Sequence, residues 1–219
     1  MKNFYFSKRE AISFGWKKMR ENMGFLGLVL LFTFLVSSGS TFFERYLNDM
    51  SLLRNLYGMV FAVLTTIIQM GFLKIILKIH DEQEAEFSDL FSSFHLFFKY
   101  FIASILYGIV VAFGLVLLIV PGIILAIKYV FYDYLIIDKE LGPLEALRES
   151  SRITGGVKWQ LFIFMLLVFL INFAGILFFG VGLLLTIPAT TIATAYVYRR
   201  LLARVEETQP TELSEQSGF

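Results

Sequence analysis

Residues 158–200 read KWQLFIFMLLVFLINFAGILFFGVGLLLTIPATTIATAYVYRR, and the reading of this stretch decides the fold. From Trp159 to Tyr198 no side chain carries a formal charge, cations close both ends, and Gly180-Val181-Gly182 interrupts the middle. A helix rises about 1.5 Å per residue, so about 20 apolar residues cross a hydrocarbon layer of about 30 Å. The stretch therefore predicts two antiparallel spans, at about 159–179 and 182–203, joined by an uncharged turn on the side opposite the cations.

The same pattern recurs outward from this hairpin. Further apolar runs at about 122–138, 98–120, 56–79 and 24–43 complete an all-α integral membrane helical bundle of six spans. Three cytoplasmic amphipathic helices precede the hairpins. The first opens at Ser7-Lys8-Arg9-Glu10, the spacing of a capping box, and sets Ile12, Trp16, Met19 and Met23 on one face. Ser88 is expected to cap the second, whose stripe of Phe87, Leu90, Phe91, Phe94, Phe98 and Phe101 keeps helical spacing straight into span three. In the third, Gly142-Pro143-Leu144-Glu145 places proline in the first turn and an acid at the positive end of the helix. Pro121-Gly122 is expected to make a tight outer turn, and Pro188 to bend or unwind span six. Residues 1–205 then form a single membrane domain, and 206–219 a polar, disordered tail. The long leader contains acidic as well as basic residues, which favours retention over signal cleavage near Ser38.

Composition agrees: 57% of the 219 residues are hydrophobic, against roughly 45–50% in soluble domains. The mean hydropathy is +0.72. A net charge of +1 argues against nucleic acid as a partner, and the absence of cysteine excludes disulfides, thiolate metal sites and cysteine nucleophiles. With six spans, sixteen of the nineteen Lys and Arg fall on one side; Arg45 and Arg54 lie opposite, and Lys128 alone sits within a span. Cationic segments are retained in the cytoplasm during insertion, so both termini are placed there.

Catalytic motifs are lacking. No HExxH, Walker loop or nucleophile elbow occurs, and the acidic loop around His80 more often stays solvated than binds metal, so neither enzyme activity nor a cofactor or metal is expected. Asp133 and Asp138 stand about 140° apart around a helix, whereas Tyr129 and Asp133 share a face. Ionisable groups inside hydrocarbon mark partners, cavities or pathways, which singles out Lys128 in the outer half of the bundle. Asn172 lies at comparable depth, and Thr186 and Gln69 are candidates to join the two. The plainer account is that Lys128 snorkels while Asn, Gln and Thr bond between helices, at about 0.6 kcal/mol each. At the cytoplasmic face, Lys8, Arg9, Trp16, Lys17, Lys18 and Arg20, with Lys158 and Trp159, suit contact with anionic headgroups.

A further set of residues keeps a characteristic order: Pro121-Gly122-Ile123-Ile124-Leu125-Ala126, Asp138, Gly142-Pro143-Leu144-Glu145-Ala146-Leu147 with Ser150, then Gly156, Trp159 and Phe162. Asn172, Gly175, Gly182-Leu183-Leu184-Leu185-Thr186-Ile187-Pro188 and Tyr198 complete it. In these residues the chain resembles a family of uncharacterised bacterial multi-span membrane proteins, related to the membrane domain of some glycerophosphoryl diester phosphodiesterases. The resemblance implies a bacterial plasma-membrane fold without assigned activity; phosphodiesterase chemistry belongs to a separate soluble domain of the two-domain relatives. The functional expectation is a non-enzymatic scaffold or accessory protein. Its basic, aromatic cytoplasmic face would bind membrane lipids, a membrane-protein partner or a second copy of the chain. The alternative is a small-solute transporter or channel using the polar site around Lys128.

Overall fold

Ser7 Oγ accepts the Glu10 N–H at 3.2 Å and so starts helix α1, Lys8–Glu21. Asn22 ends it: its backbone N–H bonds the carbonyls of Lys18 and Met19, and its side-chain amide donates to Lys18 O at 2.9 Å. There the chain turns by 88° into α2, Met23–Tyr46. This computed structural model describes residues 6–46, 51–177 and 180–208. Among these residues the regular elements are all helical.

The buried face of α1 differs from the expected one. Ala11, Gly15 and Met19 are buried, Ile12 and Trp16 are half-buried, and Met23 is exposed. The cause is the partner helix, α10 (Leu183–Thr208), which presents Ala189 and Ala193 one turn apart. A β-carbon on Gly15 would collide with the Ala189 carbonyl oxygen and press on Ala193. Small residues on both helices let the backbones approach, and that approach outweighs the pull of the bulkier stripe.

Helix α3, Ser51–His80, is exposed over its first half and buried over its second, where Ile68, Met70, Ile75, Ile76 and Ile79 enter the core. The second amphipathic helix is not the continuous one expected. It is a single turn, α4 (Asp89–Ser92), then a 3-10 turn at Phe94–Leu96, before α5 begins (Phe97–Leu117). Asp89, rather than Ser88, organises it. The Asp89 carboxylate accepts the Glu86 N–H at 2.8 Å and pairs with Lys78 at 2.7 Å, while the Ser88 hydroxyl donates to Glu86. That pairing draws α4 onto α3, where Gly71 leaves room for the Leu90 backbone.

Two further expectations are corrected between residues 117 and 140. The turn between α5 and α6 lies at Leu118, whose backbone is extended, and Pro121 and Gly122 fall in the opening turns of α6, Ile119–Lys128. Proline suits that position because its missing N–H would be unpaired there anyway. Span four is not one helix: α6 stops at Lys128, and α7, Tyr132–Lys139, starts after a break at residues 129–131. Tyr129 consequently lies in the break, as the C-cap of α6, and Asp133 in the first turn of α7, instead of the two sharing a face of one helix. The third amphipathic helix forms as expected: α8 spans Pro143–Ile153, with Glu145 Oε2 accepting the Gly142 N–H at 3.0 Å. Its inner face packs into the bundle, with Ala146, Leu147, Ser150 and Ile153 buried, while Leu144, Glu145 and Arg148 stay exposed.

Helix α9, Lys158–Leu177, leads toward α10, which runs through Pro188 without unwinding and continues to Thr208. The first residues of the expected tail, 206–208, are therefore helical; 209–219, like 178–179 at the end of span five, lie outside the described residues. Among the described residues four stretches are long and apolar enough to cross a membrane: Leu52–His80, Asp89–Leu117, Ile119–Lys139 and Lys158–Leu177. The bent α1–α2 pair makes a fifth if taken as one span. The most apolar parts of the second and fourth stretches are only 11% and 17% buried, so their side chains face outward. Outward apolar helices with internally satisfied backbones are what a bilayer selects, and the chain is a membrane protein.

Candidate functional site

Because α1 buries its small residues against α10, its cations point away from the bundle. Arg9, Lys17 and Arg20 are exposed and Lys8 is half-exposed. Trp16, Lys17 and Arg20 line a shallow hollow of about 430 Å³ together with Ser13 and Glu21. Lys18 is the exception among the expected headgroup contacts: its ammonium lies 2.7 Å from Glu82 and 3.4 Å from Glu21. Lys158 and Trp159 open α9 and are exposed, with the Trp159 ring stacked on Phe162 at 5.3 Å.

The expected polar site divides in two. Asn172 Nδ2 donates to Thr190 Oγ1 at 3.1 Å, and Thr190 Oγ1 in turn donates to the Thr186 carbonyl at 2.7 Å. Thr190 thus links Asn172 of α9 to the Thr186 backbone of α10. Thr186 is buried, and among the described residues its own hydroxyl has no hydrogen-bond partner. Lys128 is elsewhere, at the C-terminal end of α6, with its ammonium 4.9 Å over the Tyr129 ring. Gln69 lies exposed on α3. Among the described residues no hydrogen bond or ion pair links Lys128 or Gln69 to the Asn172 group.

The backbone of Lys128 has the more specific surroundings. Its carbonyl accepts from Ser150 Oγ at 3.2 Å and Thr154 Oγ1 at 3.0 Å, and Ser150 Oγ also accepts the Phe131 N–H at 3.1 Å. Two buried hydroxyls, Ser150 of α8 and Thr154 at its C-cap, thus satisfy the backbone groups that the break in span four sets free, as buried polar groups require. Ser150 belongs to the ordered residues that carry the family resemblance, but no periodicity or spacing in the sequence marks its role.

A ring of ion pairs ties four helices at one end of the bundle. Arg199 on α10 bonds Asp138 on α7 at 2.7 Å and Asp81, just past α3, at 3.2 and 2.5 Å. The Tyr198 hydroxyl donates to Asp138 at 2.7 Å. On the α1 side, the Tyr196 hydroxyl donates to Glu10 at 2.7 Å and accepts from Arg200. Burial pushes the Asp81 carboxyl up, but hydrogen bonds from His80 and Arg199 outweigh it and hold the group below its ordinary value. The Lys18 ammonium lowers Glu82 in the same way. Glu10, Asp81, Asp138, Tyr198 and the terminal arginines each carried a local sequence signal, but nothing in the sequence pairs them.

Residues 108–205, from the middle of α5 almost to the end of α10, match the family described as "Protein of unknown function (DUF975)". The chain is similar to that uncharacterised family across the broken span, the stapling helix and the last hairpin. No curated protein matches the chain. No solved structure does either.

Proposed function

We propose that this chain is a non-catalytic, six-span protein of the bacterial plasma membrane that engages anionic lipid through a rigidly mounted cationic face, serving there as a scaffold or accessory protein. The observation carrying this reading is the seating of α1. Its Gly15 is locked against α10, so Arg9, Lys17 and Arg20 are held outward by the bundle itself. A cationic face already ordered loses less entropy on binding than a free amphipathic segment does. In the six-span arrangement α2, α3, α5, the α6–α7 pair, α9 and α10 cross, and both termini are cytoplasmic. Support comes from the ring around Arg199, which lies at the cation-rich end. The kinship with the phosphodiesterase-associated membrane domain belongs to the same proposal and rests on the ordered residues from Pro121 to Tyr198.

Each cation near an anionic surface contributes about 1 kcal/mol. Neutralising Lys8, Arg9, Lys17 and Arg20 together, while sparing the paired Lys18, should therefore weaken binding of the purified protein to anionic lipid by well over tenfold. Lipid retention through purification, or titration in mixed nanodiscs, reads this directly; unchanged retention would remove the proposal. The transport alternative has less support, because Lys128 and Asn172 do not converge. It predicts a flux in proteoliposomes that Lys128→Met abolishes.

A further inference from the structure

Between α6 and the start of α9 runs a groove of about 580 Å³, lined by Val120, Ile123, Ile124, Ile127, Trp159 and Phe162, with Lys158 beside them. We propose that this groove holds one acyl chain of an anionic phospholipid, with Lys158 at the headgroup phosphate. The proposal rests on the lipid-contact reading above but places the contact at a different point, so the two fail separately.

Three observations carry it. The lining is apolar except for Lys158, and Val120 and Trp159 are 66% and 71% exposed, so the groove opens onto the outward apolar surface of the spans rather than into the core. Its volume lies within the range of roughly 300–1,000 Å³ typical of small-molecule sites. The charge is also available: among the described residues no carboxylate lies within salt-bridge distance of Lys158, unlike Lys18, Lys78 and Lys139. Lys158 opens α9, so the positive end of the helix reinforces it, and an indole beside it is the usual anchor at headgroup depth. A second transmembrane helix is the less suitable occupant. Close helix contact favours small residues, whereas branched and aromatic side chains with a lysine at one end match a flexible chain with a charged head.

The chain has two tryptophans, so Trp16→Phe leaves Trp159 as the sole indole reporter. The full chain carrying that substitution is reconstituted in phosphatidylcholine bilayers and titrated with dibrominated phosphatidylglycerol or dibrominated phosphatidylcholine, whose bromines quench indole fluorescence on contact. Half-quenching should need about fivefold less of the anionic lipid, the effect expected of one cation near the surface, and Lys158→Gln should make the two curves coincide. Identical curves before that substitution, or a preference that survives it, overturns the proposal. So does protection of Trp159 from both lipids, which would indicate a protein contact. Loss of the α1 effect with the Trp159 preference intact removes the leader reading alone; the reverse pattern removes the groove alone.

Discussion

Arg199 holds two carboxylates at once, Asp138 from 61 residues away in the chain and Asp81 from 118. Breaking one partner of such a half-buried group leaves an uncompensated charge, which costs more than the intact pair contributes. Asp81 makes the effect dependent on pH. Its folded-state pKa lies below the ordinary 3.8, so its contribution to stability is complete above that value and fades as pH falls through the lower, folded value. Asp81→Asn should lower the thermal unfolding midpoint in detergent near neutral pH, and its gap from the parent should close below about pH 3.8. A gap unchanged down to about pH 2 would show that Asp81 acts through packing instead. The pairing was invisible in the sequence. A charge pattern shows that Asp81 follows a span and Arg199 ends one, but only the juxtaposition of α3, α7 and α10 makes them partners.

Among the elements, the broken span four departs most from its sequence. An apolar run from Ile119 to Ile137, interrupted by Lys128 and Asp133, has the length of one crossing helix, and its backbone would ordinarily bond within itself. The break persists because α8 and its C-cap supply hydroxyls at the right place. Ser150 serves two backbone groups, Phe131 N–H and Lys128 C=O, whereas Thr154 serves the second jointly with it. Ser150→Ala should therefore destabilise by about 1–3 kcal/mol, the cost of leaving a buried donor unpaired, and Thr154→Ala by less. Thermal unfolding of the two variants checks the order, and equal losses would mean that the break is held by packing alone. The helical character of α8 was legible from Pro143 and Glu145; its burial was not, because the amphipathic pattern of an 11-residue helix suits a membrane interface and a protein groove alike.

Taken whole, the molecule divides into an outward apolar surface and a tightly packed polar-edged half. Leu52, Phe98, Val116 and Phe169 belong to the first, while the second half of α3, α7 and the second half of α10 form the second. The six-span proposal gives this division a direction. The chain contains no cysteine, so Asn3→Cys, Val181→Cys and Ser214→Cys each introduce a unique thiol. An impermeant maleimide applied to intact cells should label Val181→Cys and should reach the two terminal thiols only after permeabilisation; labelling of either end from outside overturns the arrangement. What the sequence determined by itself was the helical class and the membrane as solvent. Each apolar run must satisfy its own backbone and match a fixed thickness, and both constraints act within a single segment. Only the tertiary structure decided which face of α1 is buried, where span four breaks, and why Lys128 and Asn172 stand apart. Those outcomes depend on Ala189, Ser150 and Thr190 arriving from distant parts of the chain, and the side-chain periodicity of a helix carries no information about its neighbours.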